Sequence, residues 1–190
     1  MPNDERTTPR AFFDELDAEF RFTLDVAATP ETALCVRYLS ASTDALSVPW
    51  GPGERCWLNP PYSRGQIRKW LAHAARQPAL VVALVPADTS TGWWHRYVWD
   101  ESSHHPRTGV AVRFPRGRLA FGGGAPSAAP QAGAKFASAI VIFKGVTTRP
   151  DEVAQPDAAH DRRPAPRTDS AGAPSPPRPT ARTPTQHASS

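Results

Sequence analysis

A chain of 190 residues is long enough for one α/β domain with a real core and too short for two, and two isolated cysteines, Cys35 and Cys56, exclude a disulfide framework or a zinc cluster. The net charge of +4 hides an uneven distribution: residues 1–54 carry four arginines against ten acids, a balance of −6, and residues 55–145 carry twelve basic residues against three acids, a balance of +9. Such asymmetry suits a domain that holds a small ligand in one part and faces a polyanion with the other; a chance distribution of surface charge is the alternative.

In chain order, Thr8-Pro9 reads as a helix cap followed by proline at the first helical position. Phe12, Leu16 and Phe20 recur on one face, predicting a helix from about 9 to 20. Phe22–Val26 predicts a short strand closed by Ala27-Ala28, and Thr29-Pro30 a second helix start. Arg55–Leu58 is a second strand that runs into Asn59-Pro60-Pro61-Tyr62, where two prolines must stop strand and helix alike. Ile67, Trp70, Leu71 and Ala74 mark an amphipathic helix from about 64 to 76. Leu80–Pro86, apolar on both faces, predicts a central parallel strand covered by helices.

A tryptophan-rich helix follows at 91–99, with Thr91 as its cap and with Trp93, Trp94 and Trp99 read as packing residues. Val110–Phe114, Arg118–Phe121 and Ser138–Phe143 predict three more strands, with a long loop from Gly122 before the last. This order predicts an α/β sheet with an antiparallel end. Val146–Ser190 has no aromatic residue and little aliphatic surface to offset its ordering entropy. The expected division is therefore a folded domain over 1–145 and a disordered Pro/Ala/Arg-rich tail over 146–190. No apolar run approaches the roughly 20 residues of a membrane span, and the N-terminus lacks the apolar centre of a signal peptide, which predicts a protein of the reducing cytoplasm.

Asn59–Tyr62 carries the strongest chemical signal. A turn that follows a strand directly lies at the carboxyl end of the sheet, where open α/β folds bind ligands. Pro60 has a carbonyl but no N–H, so the turn presents acceptors in a rigid frame, and Asn59 adds a side-chain oxygen. Arg113, Arg116 and Arg118, with Phe114 and Phe121 interleaved, form a basic cluster suited to phosphates; a solvated strand face is the alternative reading. His104-His105 has no further ligands nearby, so no metal site is expected. Neither cysteine follows a proline, which argues against the nucleophile of a cytosine-C5 methyltransferase.

Asn59-Pro60-Pro61-Tyr62 resembles the D/N/S-P-P-Y/F/W motif of amino-methyltransferases. The wider chain is similar to the short phage-type DNA N6-adenine methyltransferases. That likeness rests also on Thr8-Pro9, on Phe22–Thr29, on Asp44-Ala-Leu46, on Leu84-Val-Pro86 through His95, on Arg113–Gly122 and on Ile140–Phe143. It implies a reduced Rossmann-like sheet with antiparallel C-terminal strands, with S-adenosylmethionine as cofactor and DNA as partner. Asn59, Pro60, Pro61 and Tyr62 would be catalytic, the first two accepting the hydrogens of an adenine N6 amine and Tyr62 stacking on an extruded base. Thr8, Pro9, Asp25, Ala27 and Asp44 would border the cofactor, and Arg113, Arg116 and Arg118 the DNA. Asp44 is equally readable as a turn residue, and the loop after Asp25 has Ala27-Ala28 where glycines are usual. Glu31 is one candidate for the acid that holds the cofactor ribose. Methylation of RNA adenine, cytosine N4 or protein glutamine, and a catalytically silent DNA-binding module, are the competing readings.

Overall fold

The computed structural model describes residues 6–123 and 136–145; the expected tail over 146–190 and most of the loop before the last strand lie outside them. In chain order the elements are β1 (Arg6–Thr7), α1 (Arg10–Phe20), β2 (Leu24–Asp25), a 3-10 turn (Ala41–Thr43), β3 (Arg55–Leu58), α2 (Gln66–Ala74), β4 (Leu80–Pro86), α3 (Gly92–Tyr97), β5 (Trp99–Asp100), β6 (His105–Pro106), β7 (Val110–Arg113), β8 (Gly122–Gly123) and β9 (Ser138–Phe143). The main sheet has the order β2-β3-β4-β9-β7. Its first three strands are parallel, and β9 runs antiparallel to both β4 and β7. The expected α/β sheet with an antiparallel end is therefore present, accompanied by two short antiparallel pairs, β1-β8 and β5-β6.

Side-chain alternation builds the layers. Val81, Ala83 and Val85 of β4, with Cys56 and Leu58 of β3 and Val141 of β9, pack with Ile67, Leu71 and Trp94 of α2 and α3. The intervening Val82, Leu84, Trp57, Ile140 and Ile142 pack on the other face with Phe13 and Leu16 of α1. Every residue of β9 is buried, as a strand flanked on both sides and covered on both faces must be. Trp94 is buried and Trp93 and Trp99 are partly buried against the first of these cores, in line with their reading as packing residues.

Several local expectations are corrected. Pro9, not Thr8, is the cap position of α1, and no side chain caps that helix. Thr29-Pro30 starts a turn and no helix: Thr29 accepts from the Thr32 and Ala33 amides, but the chain then leaves to lay Tyr38 beside Asp25 as a parallel bridge. Tertiary pairing has overridden the local helix signal. α2 begins at Gln66 behind Gly65, whose left-handed φ of 81° suits glycine. Thr91 occupies the cap position of α3, but its hydroxyl donates to the Asp88 carbonyl. Arg118–Phe121 is not a strand; the pairing is made by Gly122–Gly123 against Arg6–Thr7. No helix among the described residues is long and apolar enough to cross a membrane.

Candidate active site

The parallel strands β2 and β3 end side by side, with Leu24 level with Cys56 and Asp25 level with Trp57. Both continue into loops, and a cavity of about 560 Å³ opens between those loops, the N-terminal segment and α2. Thr8, Asp25, Ala27, Asp44, Asn59, Pro60 and Pro61 line it, so residues predicted for two separate roles share one wall. Pro9 and Tyr62 are not among the lining residues, and neither is Glu31.

Asp25 is 3% exposed. Its Oδ1 accepts from the Ala27 amide at 3.3 Å and its Oδ2 from the Leu34 amide at 3.1 Å, which fixes the carboxyl and ties the loop after β2 to the chain nine residues on. Burial outweighs those two bonds and raises its pKa to about 6. Ala27 and Ala28 are absent from the residues with positive φ, so the loop adopts no conformation that glycine alone could take. Alanine is compatible with this backbone.

Asp44 reaches the cavity from the long β2–β3 connection, where it terminates the 3-10 turn in a left-handed conformation, φ 42°. The Ser47 hydroxyl and amide both close back on it. This wall is keyed through Trp50, whose backbone amide donates to Gln77 Oε1, just beyond α2, at 2.8 Å and whose ring nitrogen donates to the Ala45 carbonyl at 3.2 Å. Trp50 also stacks on Trp70 and meets the His73 ring edge-on, and His73 Nε2 bonds the Val48 carbonyl. Burial holds the His73 pKa below its usual value, consistent with a neutral ring in this contact.

The Thr7 and Thr8 hydroxyls are buried and have no hydrogen-bond partner among the described residues. Both residues line the cavity, with these two hydroxyls shielded from solvent. Gln66, Trp70, Thr7, Thr29, Thr32 and Ser40 also line the cavity and escaped the sequence reading. Trp70 was legible only as one residue of an apolar helix face, and Thr7 only as the neighbour of a cap.

Tyr62 stands beside this wall. Its hydroxyl donates to the Leu84 carbonyl at 3.1 Å, and its ring meets Phe121 and Phe136 edge-on. The anchor fixes the ring at the end of the central strand. The three predicted DNA-side arginines separate. Arg113 makes a bidentate pair with Glu19, 2.6 Å on each arm, and lies over the Phe20 ring. Arg116 and Arg118 are exposed and have no ion-pair or hydrogen-bond partner among the described residues. The pKa values of Cys35 and Cys56 are pushed up to about 12 by burial, so neither offers a thiolate near neutral pH.

The chain matches the family described as DNA N-6-adenine-methyltransferase (Dam) over residues 2–161. Over 90 residues it is 36% identical to a DNA N-6-adenine-methyltransferase of Escherichia phage T1, an alignment that covers 46% of this chain and 38% of that relative. The chain thus spans well under half the length of the curated relative it matches. No solved structure matches it.

Proposed function

The chain belongs to the DNA N-6-adenine-methyltransferase family, and from that premise we propose that it methylates the exocyclic N6 amine of adenine in DNA with S-adenosylmethionine as donor. The observation that carries this reading is the single cavity wall shared by Asn59, Pro60, Asp25 and Thr8. A cavity of about 560 Å³ lies in the range of small-molecule and cofactor sites. The Asp25 carboxyl on its wall suits a ligand that carries positive charge. The sheet is then a reduced Rossmann-like one, with the cofactor at the end of β2 and the base at the end of β3.

When bound, S-adenosylmethionine supplies a sulfonium methyl as the electrophile. The chain's part is to make a poor nucleophile attack it. An adenine amine delocalises its lone pair into the ring; Asn59 Oδ1 and the Pro60 carbonyl, accepting its two hydrogens, favour a pyramidal nitrogen with a localised pair. The same fixed dipoles stabilise the positive charge that grows on nitrogen during attack. No side chain has to remove a proton first. Asp25, Ala27, Asp44 and Thr8 hold the cofactor side, with Pro9 behind Thr8 at the start of α1, and Tyr62 presents an aromatic face to an extruded base. Arg116 and Arg118 bind phosphate, and Arg113 serves mainly to fix the strand that they follow. On this reading the modification protects phage or prophage DNA from restriction in the host cytoplasm.

The direct test is incubation of unmethylated DNA with labelled S-adenosylmethionine, digestion to nucleosides and comparison with Asn59→Ala. Wild type should yield N6-methyl-2′-deoxyadenosine and the variant almost none. An unlabelled adenine pool with wild type, or equal yields, overturns the proposal. Calorimetric binding of S-adenosylmethionine separates an enzyme from a silent DNA-binding module.

A further inference from the structure

Phe114 is 63% exposed, although it directly follows a strand whose other apolar residues pack inward. The sheet register fixes where it stands. Leu58 is level with Ala83, Ala83 with Val141, and Val141 with Val112, so the residues that follow, Asn59 and Arg113, both stand at the carboxyl end of the sheet. β7 is separated from β3 by three strand spacings, roughly 14 Å at about 4.8 Å each. Alternation then splits the two neighbours. Arg113 turns to the α1 face, where Glu19 and Phe20 hold it, and Phe114 turns to the α3 face, where its ring lies 6.5 Å from that of buried Trp94 at 25°.

The ring is thus propped from behind and bare in front, and its strand is pinned by an ion pair. Exposed Arg116 and Arg118 follow it, on either side of Gly117, which turns the chain with φ 82°. From there the segment returns to Phe121 against Tyr62 and to Gly122 beside Thr7 of the cavity. It crosses from the sheet edge to the candidate active site.

We propose that Phe114 is a wedge that enters the base stack of duplex DNA beside the target adenine. The proposal rests on the DNA-methylating reading above and names the contact that admits a duplex to the site. An adenine cannot reach the Asn59 turn while stacked, and an aromatic ring held rigidly just ahead of two phosphate-binding arginines can occupy the space its departure opens. Arg116 and Arg118 supply the sequence-independent grip, and Phe114 the local unstacking.

The full chain and its Phe114→Ala, Phe114→Leu and Phe114→Trp variants test this. Leucine keeps Trp94 covered but lacks a flat face, so it guards against a mere folding defect. Closed circular plasmid is relaxed by a topoisomerase in the presence of each protein, and methyl transfer is compared on duplex and single-stranded DNA. Wild type and Phe114→Trp should unwind the plasmid. The alanine and leucine variants should bind duplex with an unchanged salt dependence, fail to unwind it, and lose roughly tenfold in methyl transfer on duplex, the scale of one base–aromatic stack, but little on single strands. Unwinding by Phe114→Leu as by wild type, or an equal loss on duplex and single strands, overturns the wedge. If wild type transfers no methyl to adenine, the methylation reading falls while the plasmid assay still decides on Phe114; absence of unwinding by wild type overturns the wedge itself.

Discussion

Asp25 and Arg116 both stand at the carboxyl end of one sheet, but they are built for opposite conditions. Asp25 is 3% exposed and takes its hydrogen bonds from two backbone amides, whereas Arg116 and Arg118 stand in solvent with no ion-pair partner among the described residues. The cavity wall withdraws polar groups from water, at a cost in stability, so that they are already oriented when a ligand arrives. The segment after β7 keeps its charges hydrated, and in the proposed reading it acts by long-range attraction. Damage to the first should therefore be large and insensitive to salt, and damage to the second smaller and salt-dependent.

The largest effect is expected at the cavity wall. Asn59→Ala should lower kcat for methyl transfer by about 10²–10³, the scale of losing one preorganised acceptor, and leave S-adenosylmethionine affinity within a few fold by calorimetry. A loss confined to cofactor affinity would move Asn59 to the cofactor side of the wall. Next, Asp25→Ala leaves the Ala27 and Leu34 amides buried without their acceptor and should destabilise the fold by roughly 2–4 kcal/mol in denaturant melts.

The same carboxyl sets a pH dependence. Its folded pKa of about 6 lies above an ordinary aspartate value, so between about pH 4 and 6 the folded chain holds the proton that the unfolded chain has released. Its contribution to stability falls as pH rises through that window. Affinity for cationic S-adenosylmethionine should rise about tenfold from pH 5 to 7 as the carboxyl ionises, and Asp25→Asn should flatten that profile. A flat wild-type profile would remove Asp25 from direct contact with the cofactor.

Gln77→Ala should act at a distance from the chemistry. It removes the acceptor of the Trp50 amide, so the Asp44 wall loosens; KM for S-adenosylmethionine should rise several-fold with kcat little changed. The smallest effects belong to the β7 edge. Arg116→Ala and Arg118→Ala should each lower the slope of log affinity for DNA against log salt by about one. Arg113→Ala should leave that slope nearly unchanged and change stability little, since its pair with Glu19 is solvent-accessible. Equal slopes for all three variants would erase the distinction between an anchoring arginine and two phosphate-binding ones.

Which parts were legible in advance follows from the range of the forces involved. β4 was readable because a strand covered on both faces must be apolar at every position, and Asn59–Tyr62 because two prolines after a strand leave the chain few conformations. The false helix at Thr29-Pro30 had a sound local signal, defeated by the bridge from Asp25 to Tyr38. Arg118–Phe121 likewise looked like a strand, but the pairing partner, Arg6–Thr7, sits opposite Gly122–Gly123.

The sequence by itself determined the order of the major helices and strands, the antiparallel end of the sheet and the candidate catalytic turn, because periodicity and proline geometry act over a few residues. Only the tertiary structure decided that Thr8, Asp25, Asp44 and Asn59 share one cavity, that Trp50 ties one wall of it to α2, and that Arg113 is anchored on α1 while Phe114 is left bare. Those facts depend on strand register and on contacts between residues far apart in the chain, which no local pattern encodes.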